Sequence, residues 1–545
     1  MKRRAVSCAL LALAIAGSTP ARGQSDAPRL LVLVVVDQMR ADYLTVLQRH
    51  WRSGFRTLLT EGAVFERAEY PYLTTVTCAG QATVATGAFP RTHGIVGNTW
   101  WDRERAALVD CSIDDGPSGA HISYGRRVAS GNSAHLLRGR TLGDELRSQR
   151  PGARIVSLST KPDSAVMLAG HGGDVVTWFD QPAASFVTSR AYASRRVPAL
   201  ADFLAKNPLT TEMSGVWTLR EPPDAYAFPD ASPGQRPPTG RDGLFPHAIG
   251  GPKGPDERSP RFWAESPRSD RYLARMAVAM VDGLGLGRDA SPDLLAIGFS
   301  ALDYLGHAFG PRSREAEEIL VNLDFTLGEL IAELDRRIGR SGYVLALTAD
   351  HGVGPAFEPA KGGRVIIEDV QERIEELLRS TWGTGRTGDY VAVRAPYVYF
   401  ASGVEQRLRS DGALWNAVLA EIEGMPGVGR VIPVAELSAT SADPVIRAAA
   451  LSYTAGRGGD LVLITEPSWL LAGRNVTVAA SHGTAHDYDR HIPLLLFGGA
   501  IRAARIAERA TPADIAPTFA RLVNVTMAGA EGRVLREALK SGGPQ

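Results

Sequence analysis

The sequence predicts an α/β class fold: an α/β/α sandwich with a central, mostly parallel sheet, elaborated by a loop-rich insertion and a small inserted subdomain. Two observations predict it. Several runs of strand length are apolar throughout instead of alternating, as expected of strands covered on both faces. Amphipathic helical patterns lie between them, and strand–helix alternation of this kind implies a doubly wound sheet. A third observation, acids and histidines directly after these runs, indicates where chemistry would sit.

The elements follow in chain order. Lys2, Arg3 and Arg4 precede an apolar run from Ala5 to Gly17 and a small-residue exit, Ser18 to Gly23. A basic start, a short apolar stretch and small residues describe a secretory signal peptide over residues 1–23. The run is too short for a membrane span, and no other 18-residue apolar window follows. Residues 24–545 then form the mature domain, expected to be exported to the periplasm or secreted, with no membrane anchor after cleavage. Leu30–Val36, Ile155–Leu158, Leu294–Phe299, Tyr343–Leu347, Leu461–Ile464 and Leu494–Phe497 are the apolar strand runs. Ser313–Arg337 is the strongest helical pattern, with Ile319, Leu320, Leu323, Leu327, Leu330, Ile331 and Leu334 at spacings of three and four. Tyr272–Val281 and Gly143–Arg150 are shorter examples. The segment 181–270 is rich in Pro, Gly, Arg and Asp and reads as the loop-rich insertion. The segment 361–459 has its own helix and strand signals and reads as the inserted subdomain.

Composition limits the partners. The chain of 545 residues carries 60 Lys+Arg against 59 Asp+Glu, a formal net charge of +1. That balance argues against a nucleic-acid-binding module or a polybasic membrane clamp. Hydrophobics at 44% and charges at 22% are ordinary globular values and exclude dominant disorder. Cys8 leaves with the signal, so Cys78 and Cys111 remain; they could form one disulfide, which spacing does not decide. Two cysteines cannot build a Cys-rich zinc site, so any metal must be held mainly by Asp and His.

Those residues cluster at strand ends. Val36 runs directly into Asp37, Leu294–Phe299 is followed by Asp303 and then His307, and the strand ending near Thr348 is followed by Asp350-His351-Gly352. Ligands in open α/β sheets bind outside the carboxyl ends of the strands. Asp303 and His307, at i and i+4, face one way if a helix starts there. His482, in Ser481-His482-Gly483, can add another imidazole. An Asp after a strand also serves as a helix N-cap; the joint occurrence at successive strand ends favours ligands. Six such groups suffice for two metals about 4 Å apart, the arrangement for in-line displacement at phosphorus. Small residues after Thr77 can start a helix whose N–H groups face an anion, and a hydroxyl there beside a metal is a candidate nucleophile.

Taken together these motifs resemble the alkaline phosphatase superfamily, specifically the PafA-like alkaline phosphatases and their relatives, the nucleotide pyrophosphatase/phosphodiesterases. The resemblance spans nearly the whole mature chain: Asp37, the Thr77-x-x-Gly80-x-Ala82-Thr83…Thr86-Gly87 block, His93-Gly94-Ile95-Val96-Gly97-Asn98, Asp303-x-x-x-His307, Asp350-His351-Gly352 and His482-Gly483. It implies two Zn²⁺ ions, one held by Asp37, Asp350, His351 and the Thr77 oxygen, the other by Asp303, His307 and His482, with His486 and His491 as nearby rivals for the last place. It implies that Asn98 and Lys161 contact the phosphoryl group, and that phosphate monoesters are hydrolysed through a phosphothreonine intermediate, with small-molecule phosphate esters as substrates. Two positions depart from the pattern. Asp163 stands where those phosphatases have Arg, and Gln81 where they often carry His. An added carboxylate opposes a dianionic monoester more than a singly charged diester, so a phosphodiesterase or nucleotide pyrophosphatase using the same site is the alternative. An exported metal- or phosphate-binding protein is a third reading, opposed by the retained hydroxyl.

Overall fold

The computed structural model describes residues 27–126, 131–357, 362–383, 388 and 390–540; the predicted signal peptide lies outside them. Ten strands form the main sheet: β1 (Leu30–Val36), β2 (Ala63–Ala68), β3 (His121–Ser123), β4 (Ile155–Ser159), β5 (Val175–Asp180), β6 (Ser185–Ser189), β7 (Asp293–Phe299), β8 (Tyr343–Thr348), β9 (Leu494–Gly498) and β10 (Ala504–Ala510). Their spatial order is β10-β2-β9-β8-β1-β7-β4-β5-β6-β3. The five central strands, β8 to β5, run parallel. Every residue of β1, β7 and β8 is buried, which is why these runs read as apolar without alternation.

The sheet is mixed at its flanks. The run at Leu494 pairs antiparallel with both β8 and β2, and β6 is antiparallel to β5. The expected main-sheet strand at Leu461–Ile464 lies elsewhere: Leu461–Thr465 joins Val391–Arg394, Tyr397–Phe400 and Val428–Pro433 in a separate antiparallel sheet. A short apolar run announces a buried strand but not its partners. Around that second sheet, helices Ile367–Trp382 and Gly412–Glu423 bury Ile374, Leu378, Val418 and Ile422 in a core of their own.

The helix expected from Ser313 spans Arg314–Ile338. Ser313 caps it, its side chain accepting from the Ala316 amide at 3.1 Å; acids occupy the first turn and Arg336 and Arg337 the last, matching the helix dipole. Its first turn also anchors the loop-rich segment. Buried Glu317 accepts from the amides of Ala227 and Phe228, and Glu318 from that of Arg220. His50 is a satisfied core histidine between Glu221 and Glu317, at 2.8 and 2.7 Å.

Candidate active site

β8, β1 and β7 are adjacent, parallel and in register, with Val35 opposite Thr348 and Val36 opposite Phe299. Their carboxyl ends therefore stop at one level, and the segments leaving them deliver Asp350, Asp37 and Asp303 to one place. Asp303 and His307 lie on helix Ala301–Phe309. β4, next to β7, ends two residues before Lys161. Thr77 is the first residue of helix Thr77–Thr86, which packs so closely on the segment after β8 that a Cβ on Gly80 would meet the Asp350 carbonyl oxygen at 2.1 Å. That approach explains why Gly stands there.

All nine predicted site residues meet here. His351 Nε2 is 3.3 Å from Asp37 Oδ1 and 3.6 Å from Asp350 Oδ2, and Thr77 Oγ1 is 3.3 Å from the same nitrogen. Asp303 Oδ1 is 3.3 Å from His307 Nε2 and 3.5 Å from His482 Nε2. The rings of His351 and His482 stack at 3.6 Å, which joins the two groups. His486 and His491 turn away, to the Thr465 carbonyl and to Glu69. Thr77, Asn98, Lys161, Asp303, His307 and His482 line one cleft of about 480 Å³.

Two groups of three donors could each hold a divalent cation, with ligand atoms within 4.8 Å of one another: Asp37, Asp350 and His351, and Asp303, His351 and His482. The predicted ligand His307 adjoins the second group through Asp303. Each of the three imidazoles directs Nδ1 at a backbone carbonyl: His307 at Ala480, His351 at Gly352 and His482 at Thr75, at 3.0, 2.8 and 3.0 Å. A carbonyl only accepts, so Nδ1 carries a proton in each ring and Nε2 is the nitrogen facing the carboxylates. Burial works against charge on His351 and His307, but the carboxylates beside them hold His351 up to about 10 and His307 above its ordinary value, so a cation entering there displaces a proton from Nε2. Zinc bonds of about 2.0–2.1 Å in tetrahedral geometry need neighbouring ligand atoms about 3.3 Å apart, close to the separations above. Both Asp37 oxygens are buried, Oδ1 beside His351 Nε2 and Oδ2 beside the Lys161 ammonium.

Charge points the same way. Asp37, Asp303 and Asp350 are each at most 3% exposed, and one ammonium, Lys161 Nζ, pairs with Asp303 and lies 2.7 Å from Asp37 Oδ2. Burial pushes the Asp350 carboxyl up to about 8, the neighbouring charge of Asp37 adding to it. Burial works against the Lys161 charge, but Asp303 and Asp37 hold it well above the usual lysine range. Burial, with His351 and His307 nearby, keeps His482 well below the ordinary histidine value and therefore neutral, as a ligand must be.

The model of the type I phosphodiesterase / nucleotide pyrophosphatase family matches residues 31–489. The chain belongs to that family. It is accordingly a phosphoric ester hydrolase. Proteins similar to this chain include alkaline phosphatases. PhoV of Synechococcus elongatus is 28% identical over 524 residues, spanning 94% of this chain and 93% of that one. PafA of Elizabethkingia meningoseptica is 27% identical over 534 residues, 94% of each chain. The crystal structure of wild-type PafA superposes with a TM-score of 0.85 at 26% identity, covering 94% of this chain and 99% of that one. Murine ectonucleotide pyrophosphatase / phosphodiesterase 5, at 14% identity and a TM-score of 0.55, shares the fold.

Several site residues of this family member escape sequence reasoning. Gln38 donates from Nε2 to Asp303 at 2.7 Å and from its amide to Asp350 at 3.2 Å, and takes a left-handed φ of 69° to do so; only its place after Asp37 hinted at a role. Gln81 donates to Asp350 Oδ2 at 3.1 Å, so at the position that often carries His it orients a carboxylate. Asp110, His121, Trp178, Asp180 and Tyr304 complete the cleft wall, and no local motif marks them.

Proposed function

We propose that the chain is an exported two-zinc phosphatase that hydrolyses phosphate monoesters through a phosphothreonine. The observation that carries this reading is the convergence of three carboxylates and three imidazole Nε2 atoms in one cleft with the Thr77 hydroxyl. Zinc held by Asp37, Asp350 and His351, and by Asp303, His307 and His482, would supply the Lewis acidity that favours the threonine alkoxide and offsets charge on the departing oxygen. Thr77 Oγ1, at the start of its helix, attacks phosphorus in line and the ester oxygen leaves with its electron pair. Water then attacks the phosphothreonine from the vacated side and returns the free hydroxyl and phosphate. Asn98 accepts the Cys78 amide at its Oδ1, at 2.9 Å, so Nδ2 remains its free donor for a phosphoryl oxygen. Lys161 supplies the positive charge at the cleft wall, and positioning with charge stabilisation provides most of the catalysis.

A specific observation supports the second reading, a phosphodiesterase on the same site. Asp163 lines the cleft together with Asp110 and Asp180. Burial pushes its carboxyl up to about 6; Lys161 opposes this, while Asp37 and Asp110 add to it. Initial rates on p-nitrophenyl phosphate and bis-p-nitrophenyl phosphate separate the two readings; a faster diester reaction would displace the monoesterase assignment. Asp163→Arg is expected to raise kcat/KM on the monoester about tenfold relative to the diester, since a cation replaces an anion near the phosphoryl charge. An unchanged ratio would remove position 163 from substrate selection.

Export rests on the basic, apolar and small-residue order of residues 1–23. Mass spectrometry of the protein recovered outside the cytoplasm should find a new N-terminus near Gln24. Among the described residues, no helix is long and apolar enough to cross a membrane.

A further inference from the structure

Thr77 opens its helix without a capping side chain. The residue before it is Val76, which offers no acceptor. The following amide, that of Cys78, is capped from another segment by Asn98 Oδ1 at 2.9 Å. Asn98 leads into a hairpin, Thr99–Asp102 paired with Ala107–Asp110, in which only Trp100 among the strand residues is buried. On that side Asn98 is followed by one buried anchor, Trp100, and by strand residues that are half-buried or exposed.

Cys111 follows the hairpin. Its amide donates to the Asn98 carbonyl at 2.9 Å, and its sulfur is bonded to Cys78. Three links thus close a ring: Cys78 to Asn98 by side-chain hydrogen bond, Asn98 to Cys111 by backbone hydrogen bond, and Cys111 to Cys78 by disulfide. Both cysteines are 1% exposed. The two hydrogen bonds are individually weak against the conformational freedom of the segment they hold; the covalent link makes the ring rigid.

We propose that the Cys78–Cys111 disulfide is a positioning device for the reaction, holding the Thr77 nucleophile and the Asn98 donor at one separation, so that reduction switches turnover down. The proposal rests on the reading of Thr77 and Asn98 given above. A phosphine reductant donates two electrons to the S–S bond, which breaks. Each sulfur takes a proton from water, and the phosphine keeps the oxygen as its oxide. The reduced state has a partner waiting. Cys78 Sγ lies 3.7 Å from Asp163 Oδ2; a bridged sulfur has no hydrogen to offer, whereas a Cys78 thiol can donate to that carboxylate, leaving Asn98 held by its two hydrogen bonds without the covalent link.

The test uses the zinc-loaded mature enzyme (residues 24–545), in which Cys78 and Cys111 are the cysteines, with tris(2-carboxyethyl)phosphine, and a C78S/C111S variant alongside. Free thiols, zinc content, melting temperature, and kcat and KM on p-nitrophenyl phosphate are followed. Reduction is expected to release two thiols and lower kcat about tenfold or more, the scale of a small misplacement of reacting groups, with KM and zinc content unchanged. Reoxidation should restore kcat, and the variant should be slow and indifferent to the reductant. Reducing a cross-link that only stabilises the fold would lower the melting temperature and leave kcat intact well below it; that result overturns the proposal. So would two titratable thiols before any reductant is added. If the variant does not fold, reduction of the folded enzyme still decides. Should Thr77→Ala retain full activity, the underlying reading falls; an inactive Thr77→Ala beside a reductant-insensitive wild type removes the positioning role alone.

Discussion

Replacing Thr77 with Ala should lower kcat by about a thousandfold or more, the scale seen when a covalent nucleophile is removed, while zinc content and melting temperature stay near those of the wild type. The side chain is small and its Oγ1 contacts the site only through His351. Removing it takes away the hydroxyl and one methyl group, a small loss because the helix that carries them is anchored by Cys78, by Gly80 against Asp350 and by Tyr72, whose hydroxyl meets Thr83 at 3.0 Å. Steady-state kinetics and rapid quench of labelled phosphate together check the role. Wild-type enzyme should trap phosphate on a peptide containing Thr77, and the Ala variant should trap none. Full activity in the variant would show that another group attacks phosphorus, and the phosphothreonine would then be withdrawn.

Removing the metal should have the second large effect. Chelation is expected to abolish turnover and to lower the melting temperature by several degrees. The sign follows from the charges. Asp37, Asp303 and Asp350 are buried within a few ångströms of one another with one ammonium among them, so the folded state gains when a divalent cation enters, while the unfolded chain holds no such site. At a free metal concentration a hundred times the dissociation constant, the linkage gives about 2.7 kcal/mol. Back-titration with zinc should restore activity and melting temperature in parallel and reach both plateaus at two ions per chain. A chelated protein shown by elemental analysis to be metal-free, yet turning over at the wild-type rate, would defeat the metal assignment. Asp303→Asn gives a separate check: it should reduce bound zinc toward one per chain and leave the set around Asp37 occupied.

How much of this was legible beforehand differs by kind of feature. Strand and helix identity depends on local pattern, and the runs at Leu30, Ile155, Leu294 and Tyr343 became central strands while the Ser313 pattern became a helix of nearly the expected extent. Asp303 and His307 could be paired from spacing alone, because a helical turn is a local object. Asp37, Asp303 and Asp350 could be placed on one rim because parallel neighbours in a doubly wound sheet end at one level.

Other features are properties of pairing across the chain. Leu461–Thr465 and Leu494–Gly498 carry the same kind of apolar run, yet one joins the second sheet and the other runs antiparallel in the first. Nothing within five residues encodes which edge a strand will meet. The sequence by itself determined the secondary elements, the residue types available to bind a cation, and the hydroxyl among them. Only the tertiary structure decided that Gln38 and Gln81 hold the carboxylates, that Cys78 and Cys111 are joined, that His482 is turned inward while His486 and His491 are not, and that Asp110, Asp163 and Asp180 share the cleft with Thr77. Such choices depend on which distant surfaces the hydrophobic core brings within hydrogen-bond reach, a distance that sequence separation does not measure.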